Sequence, residues 1–173
     1  QRGRYREFYQ CDADVVGSRS LTYEAELACL YHEVLTRLGL TEYRLQVNHR
    51  SILLALAERC GNIDWLIPIT VAIDKLDKIG IEKVKAELQQ RGLPELAIDV
   101  VEKYLSIQGD VEAVLNGLSD LIGAIPAGAT GIAAIREWMG YLGDQSVQFS
   151  IDPTLARGLN YYTGMIFEVK APE

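Results

Sequence analysis

Three arginines near the start of the chain recur at every second position. Arg2, Arg4 and Arg6 would share one face of an extended strand with Gln10 and two aspartates, because side chains alternate between the faces of a strand. Guanidinium groups held side by side repel one another unless an anion lies between them, and the planar arginine fork suits carboxylate or phosphate oxygens. The pattern predicts a phosphate site, with an exposed edge whose arginines pair with acidic neighbours as the alternative.

A second candidate site is the segment over 156–164, ARGLNYYTG. Gly158 and Gly164 bracket the adjacent Tyr161 and Tyr162, and Arg157 enters the same segment. Glycines permit sharp turns and close approach of the backbone to a ligand, and tyrosine hydroxyls can donate or accept hydrogen bonds. The segment is therefore either a ligand-binding turn or a hairpin whose tyrosines simply pack.

Acidic residues cluster where a helix is predicted to begin. Glu24 and Glu26 fall in the first turn of that helix, where carboxylates usually interact with the positive end of the helix dipole. A glutamate at the mouth of a helix could instead receive an ammonium group. Local sequence leaves both interpretations open.

Other residues with reactive side chains are few. His32 falls on the polar side of the same helix and His49 in a loop, and we expect both at the surface. Cys11, Cys29 and Cys60 form no CxxC pair and are predicted to be reduced and buried rather than bound to metal or to one another. No nucleophile-elbow, zinc-protease or phosphate-loop pattern occurs, so a serine or cysteine hydrolase is not supported and no metal site is expected.

The elements that must position these residues alternate between strand and helix patterns. Residues 4–16 are rich in aromatic and β-branched residues, which predicts a strand whose other face, with Tyr9 and Cys11, packs against the core. Helical spacing predicts a helix from Thr22 to Leu38, capped by Thr22, with a core-facing stripe made of Leu27, Leu30, Tyr31, Val34, Leu35 and Leu38. A short strand is predicted over 43–47.

A run of amphipathic stretches follows before strand patterns return over 147–169. We predict helices over 51–59, 63–78, 81–90, 94–106, 110–121 and 129–142, with Trp65 and Trp138 in the core. A helical module is therefore spliced between two strand-bearing pieces. We expect the two pieces to share one sheet, which makes the fold class α+β.

Composition agrees with an ordinary globular domain. The chain has 173 residues, of which 49% are apolar and 24% charged, with a net charge of −7. No apolar run approaches the roughly 18 residues that cross a bilayer. The net negative charge argues against nucleic-acid binding by a wholly basic surface, so a polyanionic partner would have to be bound locally.

Taken together, the candidate sites resemble those of histidyl-tRNA synthetases, which are class II aminoacyl-tRNA synthetases. GRYREFYQCD, over 3–12, resembles the histidyl form of class II motif 2, and LARGLNYYTGMIFE, over 155–168, resembles the signature peptide peculiar to histidyl enzymes. Both motifs stand in the family's order with a helical insertion between them. The resemblance implies part of a class II antiparallel sheet with an inserted helical module that reaches toward the tRNA acceptor arm.

The resemblance also implies a reaction and residue roles. Histidine would attack the α-phosphate of ATP, supplied with Mg²⁺, and the histidyl group would then pass to tRNA(His). Arg6 and Arg157 match the arginines that hold the α-phosphate from opposite sides, and Arg4 lies nearer to ATP or tRNA. The residues that match the histidine pocket are Gln10, Glu24, Tyr161 and Tyr162.

The resemblance further divides the chain into three segments. Residues 1–60 and 143–173 correspond to parts of the catalytic core, and residues 61–142 to the helical insertion. Asn160 stands where the family's signature usually has aspartate, which changes the charge near the imidazole. Motif 1, motif 3 and the anticodon-binding domain are not among the 173 residues. We therefore expect a central piece of a longer, cytoplasmic, homodimeric enzyme, inactive by itself, with a non-catalytic regulatory or tRNA-sensing relative as the alternative.

Overall fold

The computed structural model describes residues 7–156 and 163–171. These residues form eight α-helices, one 3-10 turn over Ile63–Trp65 and three strands. In chain order the elements are α1 (Thr22–Arg37), β1 (Arg44–His49), α2 (Arg50–Arg59), α3 (Leu66–Ile73), α4 (Leu76–Ile79), α5 (Ile81–Gln90), α6 (Glu95–Leu105), α7 (Val111–Ile122), α8 (Pro126–Leu142), β2 (Phe149–Ile151) and β3 (Met165–Lys170).

The strands form one sheet in the order β2-β1-β3, which confirms that the two strand-bearing pieces join. β1 runs antiparallel to β3 and parallel to β2, with Gln46 opposite both Ser150 and Glu168. The sheet is thus mixed rather than purely antiparallel. The helices between β1 and β2 form a crossover connection, which is what parallel pairing requires. The α+β fold class is confirmed.

The helices and the sheet share one hydrophobic core with Trp138 of α8 at its centre. The Trp138 ring lies edge-on to Phe149 of β2, with centroids 5.1 Å apart, and 5.5 Å from the ring of Phe167 on β3. Trp138 is fully buried, as predicted, whereas Trp65 is half-buried and packs against the core from outside. None of the helices in the described part of the chain is long and apolar enough to cross a membrane.

The first helix begins and ends close to the predicted residues but turns a different face inward. Its buried residues are Ala25 and Ala28, and α8 packs nearby. The predicted core stripe is wrong at four of its positions, which are exposed: Leu30, Tyr31, Val34 and Leu38. Small alanine side chains allow two helices to approach closely. The prediction was based on the spacing of large apolar residues and did not consider this. Leu21, not Thr22, is the N-cap, and it makes no side-chain capping bond.

The strand predicted over 4–16 is wrong in its described part. Residues 7–16 form no strand, and Tyr9, Cys11 and Val15 on its predicted packed face are exposed. A strand is stable only when its backbone groups are paired with a neighbour, and no described strand lies beside this segment. Cys11 is therefore exposed, whereas Cys60 is buried and Cys29 is partly buried; all three are free thiols.

His49 is also placed differently from its prediction. It is the last residue of β1 and only 7% exposed, so the expected surface position is wrong. Its side chain caps α2 by accepting a hydrogen bond from the backbone N–H of Ser51. His32 is half-buried, with Nδ1 2.7 Å from the hydroxyl oxygen of Tyr43.

Candidate active site

The face of the sheet opposite Trp138 is polar. Residues paired across strands share a face, so Gln46 of β1 lies between Ser150 of β2 and Glu168 of β3 on this side. The neighbouring pairs, which include both phenylalanines, point to the core instead. The strands thus present amide, hydroxyl and carboxylate groups on one surface.

A braced turn over 152–156 borders this polar face. Asp152 Oδ1 accepts hydrogen bonds from the backbone N–H of Thr154, at 2.9 Å, and from the Thr154 hydroxyl, at 2.6 Å. The backbone N–H of Leu155 donates to the carbonyl of Asp152 at 3.0 Å. The chain passes from this turn through buried Ala156 to Arg157, the first residue outside the described range.

Two buried side chains from other elements donate hydrogen bonds to the backbone carbonyls of this turn. Asn48 Nδ2 donates to the carbonyl oxygens of Pro153, at 3.1 Å, and Leu155, at 3.0 Å. The Tyr104 hydroxyl, from α6, donates to the same Pro153 oxygen at 2.7 Å. Burial raises the pKa of Tyr104, so its hydroxyl stays protonated and remains a donor. The turn is therefore fixed to both the sheet and the helices.

A cavity of about 170 Å³ lies between the polar face, the turn and the helices α3 and α4. Its described lining comprises Gln46, Ile73, Asp74, Asp77, Asp152, Thr154, Leu155, Ala156, Glu168 and Lys170. Lys170 is the one basic residue among these, and its Nζ lies 3.7 Å from Asp77 Oδ2. Among the described lining residues acidic side chains outnumber basic ones, so this part of the wall favours a cationic group over a phosphate.

Two of the predicted histidine-binding residues are described and lie elsewhere. Gln10 is exposed, and its Nε2 donates to Asp12 at 2.8 and 3.1 Å. Glu24 is half-buried in the first turn of α1 and does not line the cavity. The structure does not bring either residue to the polar face, and their roles stay predictions.

The other predicted site residues fall outside the described ranges, namely Arg4, Arg6, Arg157, Tyr161 and Tyr162. The convergence of Arg6 and Arg157 on one phosphate therefore stays a prediction. Within residues 7–156 and 163–171, no cluster of three or more histidine, cysteine or acidic side chains is placed to hold a metal ion.

Sequence reasoning gave no site role to Asn48 or Tyr104. Asn48 carries no clear signal, because it continues the polar alternation of Arg44 and Gln46 along β1 (RLQVNH) and nothing in that pattern shows that it is buried. Tyr104 carries no clear signal either. It occupies an apolar position of an amphipathic helix, and its hydroxyl partner lies 49 residues away along the chain.

Comparison with known proteins identifies the family. The sequence model of the histidyl-tRNA synthetase family matches residues 1–173. Histidine–tRNA ligase from Phocaeicola vulgatus is 48% identical over 99% of the chain and 38% of that relative. The ligase from Flavobacterium johnsoniae is 46% identical over 100% of the chain and 37% of the relative. The chain thus spans less than two-fifths of these relatives.

Solved structures share the fold. Histidyl-tRNA synthetase from Nostoc sp. PCC 7120 superposes with a TM-score of 0.81 at 26% identity, over 89% of this chain and 37% of that one. A Bacillus halodurans protein described as an ATP phosphoribosyltransferase regulatory subunit/histidyl-tRNA synthetase gives 0.71 at 22% identity, over 90% and 40%. With the family match over its whole length, the chain belongs to the histidyl-tRNA synthetase family.

Proposed function

We propose that this chain is the central part of a histidine–tRNA ligase. The enzyme joins histidine to ATP, forming histidyl-adenylate and pyrophosphate, and then transfers the histidyl group to the 3′-terminal ribose of tRNA(His). The observation that carries the proposal is the family match over all 173 residues, together with 48% identity to a histidine–tRNA ligase. The 173 residues alone lack activity, and the whole enzyme is a cytoplasmic homodimer.

The proposed roles follow the charge that develops in the reaction. Arg6 and Arg157 stabilise the α-phosphate, because fixed positive charge around the reacting oxygens supplies much of the acceleration in phosphoryl chemistry. Arg4 contacts ATP or tRNA. Glu24 receives the histidine ammonium group, Gln10 lies beside it, and Tyr161 and Tyr162 bind the imidazole. ATP enters with Mg²⁺ as a substrate, and no cofactor is tightly bound.

The described cavity does not include Glu24, so the proposed ammonium role of Glu24 rests on the family resemblance. The acidic residues that line the cavity suit a cationic group, whereas ATP requires the arginines of the two motifs. Amino acid and nucleotide thus need walls of opposite charge. The chain supplies both kinds of residue.

A regulatory or tRNA-sensing protein is the second candidate. The Bacillus halodurans structure, described in part as a regulatory subunit, has the same fold. At 22% identity that likeness concerns the fold alone, whereas the ligases are 46–48% identical. The presence of both Arg6 and Arg157 also favours the enzyme, because a module without catalysis has no need of a pair of phosphate-binding arginines.

The test uses the protein encoded by the complete reading frame and measures histidine-dependent exchange of pyrophosphate into ATP. Replacement Arg157→Ala should lower kcat by about 100-fold and change the histidine KM little, because the lost contact is to transition-state charge. The control is Arg37→Ala, because Arg37 pairs with Glu33 on the exposed side of α1, and this replacement should leave kcat unchanged.

Three results would each contradict a part of the proposal. Wild-type protein without histidine-dependent exchange would favour the regulatory alternative. Equal losses in kcat and in histidine affinity for Arg157→Ala would reject the phosphate role of Arg157. Clear exchange activity from the isolated 173 residues would refute the inactivity expected of this segment.

A further inference from the structure

The carbonyl oxygen of Pro153 accepts hydrogen bonds from two side chains that are far apart in the sequence. Tyr104 donates from α6 at 2.7 Å, and Asn48 donates from the end of β1 at 3.1 Å. Both donors are fully buried, with exposures of 0%. Both lone pairs of this carbonyl are therefore engaged inside the protein, which fixes the position of the backbone at Pro153.

The orientation of the Asn48 amide is itself determined. Its Oδ1 accepts the backbone N–H of His49 at 2.8 Å, so Nδ2 must face the turn. That NH₂ group uses one hydrogen on Pro153 and the other on Leu155. A rotated amide would place its oxygen against two carbonyl oxygens. Asn48 thus fixes the turn to the end of β1, and the hydrogen bond from Tyr104 fixes the same turn to α6.

The 152–156 turn forms one wall of the candidate cavity. Asp152, Thr154, Leu155 and Ala156 all line it, and the hydrogen bonds of Asp152 make the turn move as a unit. A shift at Pro153 would therefore move the whole wall. Arg157, the proposed phosphate ligand, is the next residue in the chain after Ala156.

We propose that Tyr104 is a positioning residue for histidine activation, which holds the 152–156 turn in place through the Pro153 carbonyl. This inference rests on the proposed function. Tyr104 touches no reacting group and acts through the turn. The helices of the segment 61–142 consequently support the activation site through this turn, in addition to any contact that they make with tRNA.

Tyrosine-to-phenylalanine replacement is suited to a test because it removes only the hydroxyl. The ring keeps its packing in the core, and the Pro153 oxygen keeps its bond from Asn48, so the protein should fold. Tyr43→Phe provides the matched control. Tyr43 is also buried, at 4% exposure, and its hydroxyl oxygen also lies 2.7 Å from a side-chain partner, His32. Tyr43 also hydrogen-bonds the backbone of Gln148, which lies before β2 and outside the 152–156 turn.

The experiment compares pyrophosphate exchange by wild type, Tyr104→Phe and Tyr43→Phe in the protein encoded by the complete reading frame. For Tyr104→Phe we expect kcat to fall about tenfold, with the histidine KM within twofold of wild type, because small misplacements of positioning groups mainly affect the chemical step. Tyr43→Phe should keep the wild-type kcat. Amide hydrogen exchange at Thr154 and Leu155 should accelerate about tenfold in Tyr104→Phe only.

Each contrary result identifies what has failed. Wild type without histidine-dependent exchange overturns the proposed function, and with it the role of Tyr104 in activation. An active wild type with Tyr104→Phe within twofold of its kcat overturns the positioning role alone. Equal kcat losses in both variants, in step with equal losses of Tm, would mark a merely structural effect and also overturn it. Unchanged amide exchange at the turn would do the same.

Discussion

At the scale of single residues, His49 combines a structural hydrogen bond with a titratable ring. Its Nδ1 accepts the N–H of Ser51 at 3.1 Å, which requires that this nitrogen carry no proton. Burial lowers the pKa of His49, because the charged imidazolium loses its hydration inside the protein. Protonation therefore opposes both the cap of α2 and the burial of the ring.

The sign of the pH effect follows from where protons bind. The unfolded chain takes up a proton at His49 near its usual pKa of about 6.5, whereas the folded chain resists protonation until lower pH. Neutral His49 therefore stabilises the folded state above about pH 6.5. This contribution to the free energy of unfolding is lost as pH falls toward the folded-state pKa of His49. The slope from this residue is at most about 1.4 kcal/mol per pH unit.

Replacement His49→Asn should reduce this pH dependence. Asparagine caps helices through its side-chain oxygen and does not titrate, so the free energy of unfolding should change less between pH 7 and pH 5.5 than in wild type. Urea denaturation of the 173-residue chain at both pH values measures the difference. His32→Asn is the matched control. It leaves the His49 cap in place, so it should retain the pH dependence of the free energy of unfolding that His49 contributes. An undiminished slope in His49→Asn would contradict the assignment.

At the scale of elements, α8 lies against α2 at glycine positions. A Cβ added to Gly131 would lie 2.8 Å from Ile52 Cγ1 and 3.1 Å from the Ile52 backbone nitrogen. Ile52 is fully buried at the start of α2, and Gly131 is buried as well. The helices can approach this closely only because position 131 has no side chain.

Replacement Gly131→Ala should therefore destabilise the chain by about 2 kcal/mol, the usual cost of overpacking a buried contact. Gly140→Ala on the same helix is the control, because a Cβ there meets nothing within 4 Å. It should be neutral or stabilise by up to about 1 kcal/mol through helix propensity. Urea denaturation measures both free energies of unfolding. Equal effects at the two glycines would show that the contact with Ile52 does not control helix packing.

The elements also show what sequence could predict. Most helix bounds followed from local apolar spacing, and the predicted helix over 110–121 is observed as Val111–Ile122. The single helix predicted over 63–78 is wrong, because the structure divides this stretch into a 3-10 turn, α3 and α4. The strand over 4–16 failed because pairing depends on residues that are distant in sequence. The stripe of α1 failed because apolar spacing does not say which neighbour will cover it. For the candidate site, motif resemblance predicts a role for Arg157, which lies outside the described residues and stays a prediction. The link from Tyr104 to Pro153 arises only from tertiary structure.

At the scale of the whole molecule, the sheet cannot form without bringing the two ends of the helical segment together. Gln46 pairs with Ser150 across a connection that contains α2 to α8, and Trp138 of α8 packs on strands from both sides of β1. The buried residues of helices and sheet form a single cluster. Helices and strands should therefore depend on each other for stability.

The 173-residue chain should consequently unfold in one cooperative transition. Trp138 fluorescence, recorded in a Trp65→Phe background, reports the junction of α8 with the sheet, and far-ultraviolet circular dichroism reports the helices. The two urea midpoints should coincide, because exposing Trp138 removes the apolar cover on which the strands depend. Wild type serves as the control that Trp65→Phe leaves the circular dichroism midpoint in place. A helical signal that survives the loss of Trp138 packing would instead establish residues 61–142 as a unit that folds by itself, separate from the sheet.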